Sequence, residues 1–154
     1  MIAKTSNSHR SIRFATSGTA AIEFGIAAPL LLILIAGVAE VGYAAYQAMQ
    51  VQNAVEAGAL YAAKYGWDSS RISTAVLSAT GATGITASPS PAQFCGCPSV
   101  GGIAAVLCTS TCVDGSSPGQ YVQINATATR QSLIPSGGLA LPATFTARSI
   151  VRLN

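Results

Sequence analysis

Four cysteines are the residues of this chain best equipped to do chemistry: Cys95, Cys97, Cys108 and Cys112, spaced C-x-C-x10-C-x3-C. A four-thiolate zinc site is one reading, but zinc knuckles bring their thiolates in C-x2-C pairs and this spacing departs from that. The alternative is disulfides, to which an even count in a small extracytoplasmic domain points. The single residue between Cys95 and Cys97 strains a direct bridge, so both are expected to pair forward with Cys108 and Cys112, in either order. Each bridge would close a loop of about a dozen residues and stabilise by roughly 3 kcal/mol, support that a small Gly-rich domain needs. Disulfides are the reading taken, and no metal or cofactor is expected.

Little else could serve as a reaction centre. The one histidine, His9, lies in the first ten residues. The acids are Glu23, Glu40, Glu56, Asp68 and Asp114, and the first three fall on one expected helix. They form no paired-carboxylate or nucleophile-elbow arrangement, so an enzyme is not expected. Asn125-Ala126-Thr127 fits a glycosylation acceptor and is read as fortuitous.

Composition narrows the class. Of 154 residues, 50% are hydrophobic and only 8% are charged. A soluble domain carries about a quarter charged residues. The net charge of +3 is too small and too localised for a nucleic-acid surface. Lys4, Arg10 and Arg13 precede any acid, and Phe24 to Ala39 holds no charge at all. From Thr19 to Ala39 there is one acid in 21 residues, which is the length of a bilayer-spanning helix. Leu30 to Ile35 supply the strongest insertion signal. The next basic residue is Lys64, so the charge bias places the N-terminus inside and everything after about Glu40 outside. A buried core helix is the weaker reading, because a basic, acid-free leader rarely precedes one.

The residues before that run carry a second pattern. Gly18 is followed at the fifth position by Glu23, at the mouth of the apolar stretch. This resembles the processing site of type IV prepilins and pseudopilins, which a prepilin peptidase cuts after the glycine. By that resemblance residues 1–18 form a basic leader that is removed, and Thr19 becomes the N-terminus. A carboxylate in an apolar helix is expensive unless paired. The helix dipole helps Glu23 a little, and a free amino group would help more. Pairing with the amino group of a neighbouring subunit resembles how pilins set register; a Glu23 that snorkels to the headgroups is the other reading.

Beyond the span, EVGYAAYQAMQVQNAVEAGALYAAKYGW is rich in helix formers and free of proline. Ala44, Ala48, Val51, Val55, Gly58, Ala62 and Tyr65 form one apolar stripe at steps of three and four. One helix is therefore expected over 19–66, about 70 Å long, kinked at Pro29 and capped by Gly66. Its transmembrane half covers about 19–39. Small residues along it, among them Gly25, Gly37 and Gly42, allow close helix approach. Glu23-Phe24, Pro29, the Leu30 to Ile35 run, Glu40 to Tyr43 and Asn53 to Ala63 together resemble the TadE-like family of pseudopilins from bacterial tight-adherence (Flp-type) pilus systems. The resemblance covers about 45 residues.

Residues 67–154 are expected to form a small extracytoplasmic domain. Trp67 to Ser70 read as an exit loop and Arg71 to Ala79 as two helical turns with Ile72, Ala75, Val76 and Ala79 on one side. Residues 88–94 read as extended or looped. Residues 121–129 and 143–152 alternate as half-buried antiparallel strands, with Ile103 to Leu107 as a third. The fold class is α+β: a long N-terminal transmembrane and amphipathic helix with a disulfide-stapled antiparallel β domain, a pilin-like lollipop. Leu133, Ile134, Leu139 and Leu141, between the last two strands, are either an exposed contact surface or the cover of a thin core. The resemblance implies a minor pseudopilin of the bacterial inner membrane, periplasmic on its C-terminal side. Its partners would be membrane lipid, a prepilin peptidase and other pilin or pseudopilin subunits, with no nucleic acid. The alternative is a single-span anchored binding module unrelated to pili.

Overall fold

The computed structural model describes residues 17–134 and 140–153. Most of the expected leader, with Lys4, His9, Arg10 and Arg13, lies outside the described residues, as does Leu139. The chain divides into two compact units, Met1–Val38 and Ala39–Asn154.

Helix α1 covers Ser17–Tyr65 and continues through Pro29. Pro29 lacks an N–H to donate to the preceding turn, a loss that apolar helices tolerate better than a broken one. The helix ends where the sequence lets it. Gly66 adopts φ 82°, and its N–H reaches back to the Ala62 carbonyl at 2.9 Å, so an orphan carbonyl is satisfied in the left-handed geometry that glycine adopts freely.

Helix α2 covers Ser69–Ser78. It starts two residues earlier than the hydrophobic pattern suggests, because Asp68 is its N-cap: the carboxylate accepts from the Arg71 N–H at 3.0 Å. Ser69 and Ser70 are thus helical, not loop. Ile72 and Val76 are fully buried, one turn apart on the inner face.

The sheet has five antiparallel strands: β1 Ile85–Thr86, β2 Ala92–Ser99, β3 Gly102–Val106, β4 Gly119–Thr129 and β5 Thr144–Arg152. The long strand β4 organises it. One side pairs along its length with β5, from Tyr121↔Arg152 to Thr129↔Thr144. The other side is shared, with β2 from Ala92↔Gln123 to Gly96↔Gly119 and β1 at Ile85↔Ala128. Strand β3 pairs only with β2. The alternation in β4 and β5 is realised. Val122, Ile124 and Ala126 are fully buried, and Phe145, Ala147 and Val151 pack against the same core.

The core of the unit Ala39–Asn154, labelled the outer unit after the topology expected from the sequence, is where Val51, Ala54, Val55 and Ala62 of α1 meet Ile72 and Val76 of α2, Ile85 of β1 and the inner face of β4. Gly58 makes that approach possible: a Cβ there would stand 2.6 Å from Val76 Cγ2 and 3.2 Å from Ile124 Cγ2. Tyr65 does not join the stripe. It is 64% exposed with its ring tilted against that of Tyr61, and Ala54 fills the inner face instead.

Cys95 bridges Cys108 and Cys97 bridges Cys112, with Cα separations of 5.1 and 5.6 Å. Both strand cysteines point to one side of β2, two residues apart, and staple it to the loop that follows β3. All four thiols are used, which removes the ligands of a zinc site.

Candidate functional site: an uncovered helix and its anchored loop

Helix α1 presents apolar surface without covering it. Ile22, Phe24, Ile26, Leu30 to Ile35 and Val38 are all more than half exposed. The helix is long and apolar enough to cross a membrane, and none of its most apolar window is buried. Burying a large aliphatic or aromatic side chain is favourable by about 1.5–3 kcal/mol, so covering these would release on the order of ten kcal/mol or more. That is comparable with the whole stability of a typical domain, so the surface needs lipid or another helix over it.

Gly18, Thr19 and Glu23 lie in the first two turns of α1, and all three are exposed. The Gly18–Thr19 bond is therefore within helical backbone, since α1 begins at Ser17. Glu23 makes no ion pair among the described residues. Among the described residues, a Cβ on Gly18, Gly25, Gly37 or Gly42 would meet nothing within 4 Å, so packing there does not ask for glycine at any of them.

Sequence reasoning missed the best-built polar cluster. Glu40 is 3% exposed, and four donors converge on its carboxylate. Oε1 accepts from Arg130 Nη1 at 2.6 Å and from the Ser132 hydroxyl at 2.7 Å. Oε2 accepts from the backbone N–H of Leu133 at 2.8 Å and of Ile134 at 3.3 Å. The Ser132 bond, together with those from Leu133, Arg130 and Ile134, holds the Glu40 carboxyl below its ordinary value of 4.5, against the opposing effect of burial. Two turns further along α1, Gln47 forms a reciprocal pair with residue 131. Its Nε2 donates to the Gln131 carbonyl and its Oε1 accepts from the Gln131 N–H, both at 2.8 Å. Residues 130–134 are thereby fixed to α1 at two levels. The available signal was slight: an acid and a glutamine seven residues apart share a helix face, but nothing in the sequence names their partners 84 to 94 residues away.

Two clefts are found among the described residues of the outer unit. One, of about 380 Å³, is lined by Tyr43, Tyr46, Gln47, Thr129 and Gln131 among others, with no acid, base or thiol. The other holds Arg148 as its one charged residue. Gly115-Ser116-Ser117-Pro118-Gly119 has the Gly-x-Ser-x-Gly spacing, but it is a loop leading into β4, not a turn from strand to helix. Asn125 is buried in β4 at 7% exposure, donating to the Pro89 carbonyl, which is no position for a glycan.

A family model described as TadE-like protein matches residues 18–60. This segment is similar to TadE-like proteins. The match begins at Gly18, ends at Leu60, and takes in Glu23, Pro29, Glu40 and Gln47, so the TadE-like segment contains both the exposed apolar run and the helix side of the anchored loop. TadE-like proteins are themselves associated with the tight-adherence pilus. The sheet and both disulfides lie outside the TadE-like segment. No curated protein and no solved structure matches the chain.

Proposed function

We propose that this chain is a membrane-anchored minor pseudopilin acting in the assembly of an adhesive Flp-type pilus, after a prepilin peptidase cuts between Gly18 and Thr19. The observation that carries the reading is the TadE-like match over an apolar helix none of whose most apolar window is buried. Such a helix is suited first to a bilayer and then to the helices of other pilin or pseudopilin subunits. The exposed position of Gly18, where no neighbour would crowd a side chain, suits recognition by an enzyme. In the processed protein Glu23 would meet the new amino group of a neighbouring copy. The basic leader would stay cytoplasmic and the outer unit would lie in the periplasm, where its disulfides form.

N-terminal sequencing of the protein from cells that contain the peptidase tests this. The expected mature N-terminus is Thr19, and Gly18→Trp should leave the chain at full length. A native chain intact from Met1, or one cut beyond Ala39 and free in solution, overturns the reading; an anchored, unprocessed chain indifferent to Glu23→Gln would instead be a single-span binding module.

A further inference from the structure

The segment 130–134 descends along α1. Gln131 is held at Gln47, and Leu133 and Ile134 are held at Glu40. Seven helical residues separate those levels, about 10 Å at 1.5 Å per residue. The descent ends at the residue immediately after the apolar run, so the segment delivers Leu133 to the edge of whatever that run occupies. Leu133 is 55% exposed there, although its own N–H is fixed. Nearby on α1, Val41 is 48% and Tyr46 51% exposed, and Tyr46 stacks with Tyr43 at 6.5 Å between ring centroids.

If residues 19–39 fill the hydrocarbon core, Tyr43 and Tyr46 stand about 5 to 9 Å beyond it, within the headgroup layer where aromatic belts sit. At this level the charges of Glu40 and Arg130 neutralise each other, and the uncharged Gln47 and Gln131 are bonded together. We propose that Leu133 and Ile134, clamped to Glu40, act with Val41, Tyr43 and Tyr46 as a second, interfacial contact between the outer unit and the lipid surface that α1 crosses. The occupant is lipid because the patch is continuous in chain position with the spanning run. Its mode is shallow apolar and aromatic insertion, indifferent to headgroup charge. The inference rests on α1 spanning a membrane, and the test separates the two.

The full chain is placed in nanodiscs whose lipids are brominated on the upper acyl chain, and tryptophan quenching is read. Native Trp67 follows the end of α1, which lies about 40 Å along the helix from Ala39, and reports on water. Reporters are Leu133→Trp and Tyr46→Trp, each combined with Trp67→Phe, and Leu31→Trp with Trp67→Phe for the span. Both interfacial reporters should lose emission, equally in zwitterionic and anionic discs, while Trp67 is unaffected. Quenching of Leu31→Trp with none at Leu133→Trp and Tyr46→Trp overturns the lipid contact, leaves the anchor standing, and makes a protein partner the occupant. No quenching at any reporter overturns both.

Discussion

The two units of this chain obtain their stability from opposite sources. The outer unit carries its own core, two disulfides and a buried carboxylate with four donors. The N-terminal unit has a helix whose large side chains touch almost nothing in the chain. Glycines show the contrast within a single helix. Gly58 is required by its neighbours, and Gly25 and Gly37 are required by nothing present. Within the described residues, the same residue type answers to close packing in one unit and to no neighbour in the other.

The sharpest way to break this contrast is to charge the uncovered face. Leu31→Arg together with Leu34→Arg places two cations near the middle of the apolar run, each opposed by about 2.5–3.5 kcal/mol in a bilayer. The double variant should fail to fractionate with membranes, while thermal unfolding of the outer unit, followed by circular dichroism, stays where it was. Retention in the membrane fraction would show that the run is not a span.

Smaller in effect is an exchange of alanine for glycine at two sites of α1. Gly58→Ala pushes a methyl against Val76 and Ile124 and should lower outer-unit stability by about 1–3 kcal/mol. Gly25→Ala meets open space and removes a glycine from a helix interior, so it should leave that unit's melting unchanged and, if anything, favour the helix by up to about 1 kcal/mol. Equal losses at both sites, measured by denaturant unfolding, would erase the distinction between the units.

Legibility followed the same division. The apolar run, the helix stop at Gly66 and the strands β4 and β5 could be read because each is a local pattern: hydropathy over 20 residues, a glycine at a helix end, alternation with period two. The forward pairing of the cysteines could be read because the single residue between Cys95 and Cys97 strains a direct bridge, and the structure selects Cys95–Cys108 and Cys97–Cys112 from the two orders left open. Strand β2 is only partly legible. Gly96 and Pro98 interrupt its pattern, and it is held by partners on both sides and by two disulfides, none of which is local. The Asp68 cap was visible in principle as an acid three residues before Arg71, but a Trp-Asp-Ser-Ser string reads equally well as loop. The Glu40 cluster was hidden most completely. Its carboxylate follows the apolar run like any membrane-edge acid, and its partners come from a stretch whose leucines attract attention before its backbone does.

That cluster supplies the mildest way to sharpen the comparison, because it should fix a loop without setting the stability of the core. A carboxyl held below its ordinary value in the folded state contributes stability that is fully present above the unfolded value and is lost as pH falls through the folded one. For Glu40 the contribution is therefore complete above about pH 4.5 and fades below it. Over that acid range the amides of Leu133 and Ile134 should lose protection against hydrogen exchange, while the amides of Val122 and Ile124 in β4 keep theirs. Glu40→Gln removes the charge that Arg130 faces, so it should abolish the acid dependence and leave Leu133 and Ile134 poorly protected at neutral pH. If the β4 amides open together with those of Leu133 and Ile134, the clamp is part of the cooperative core, and the outer unit is held together from the membrane edge as well as from its center.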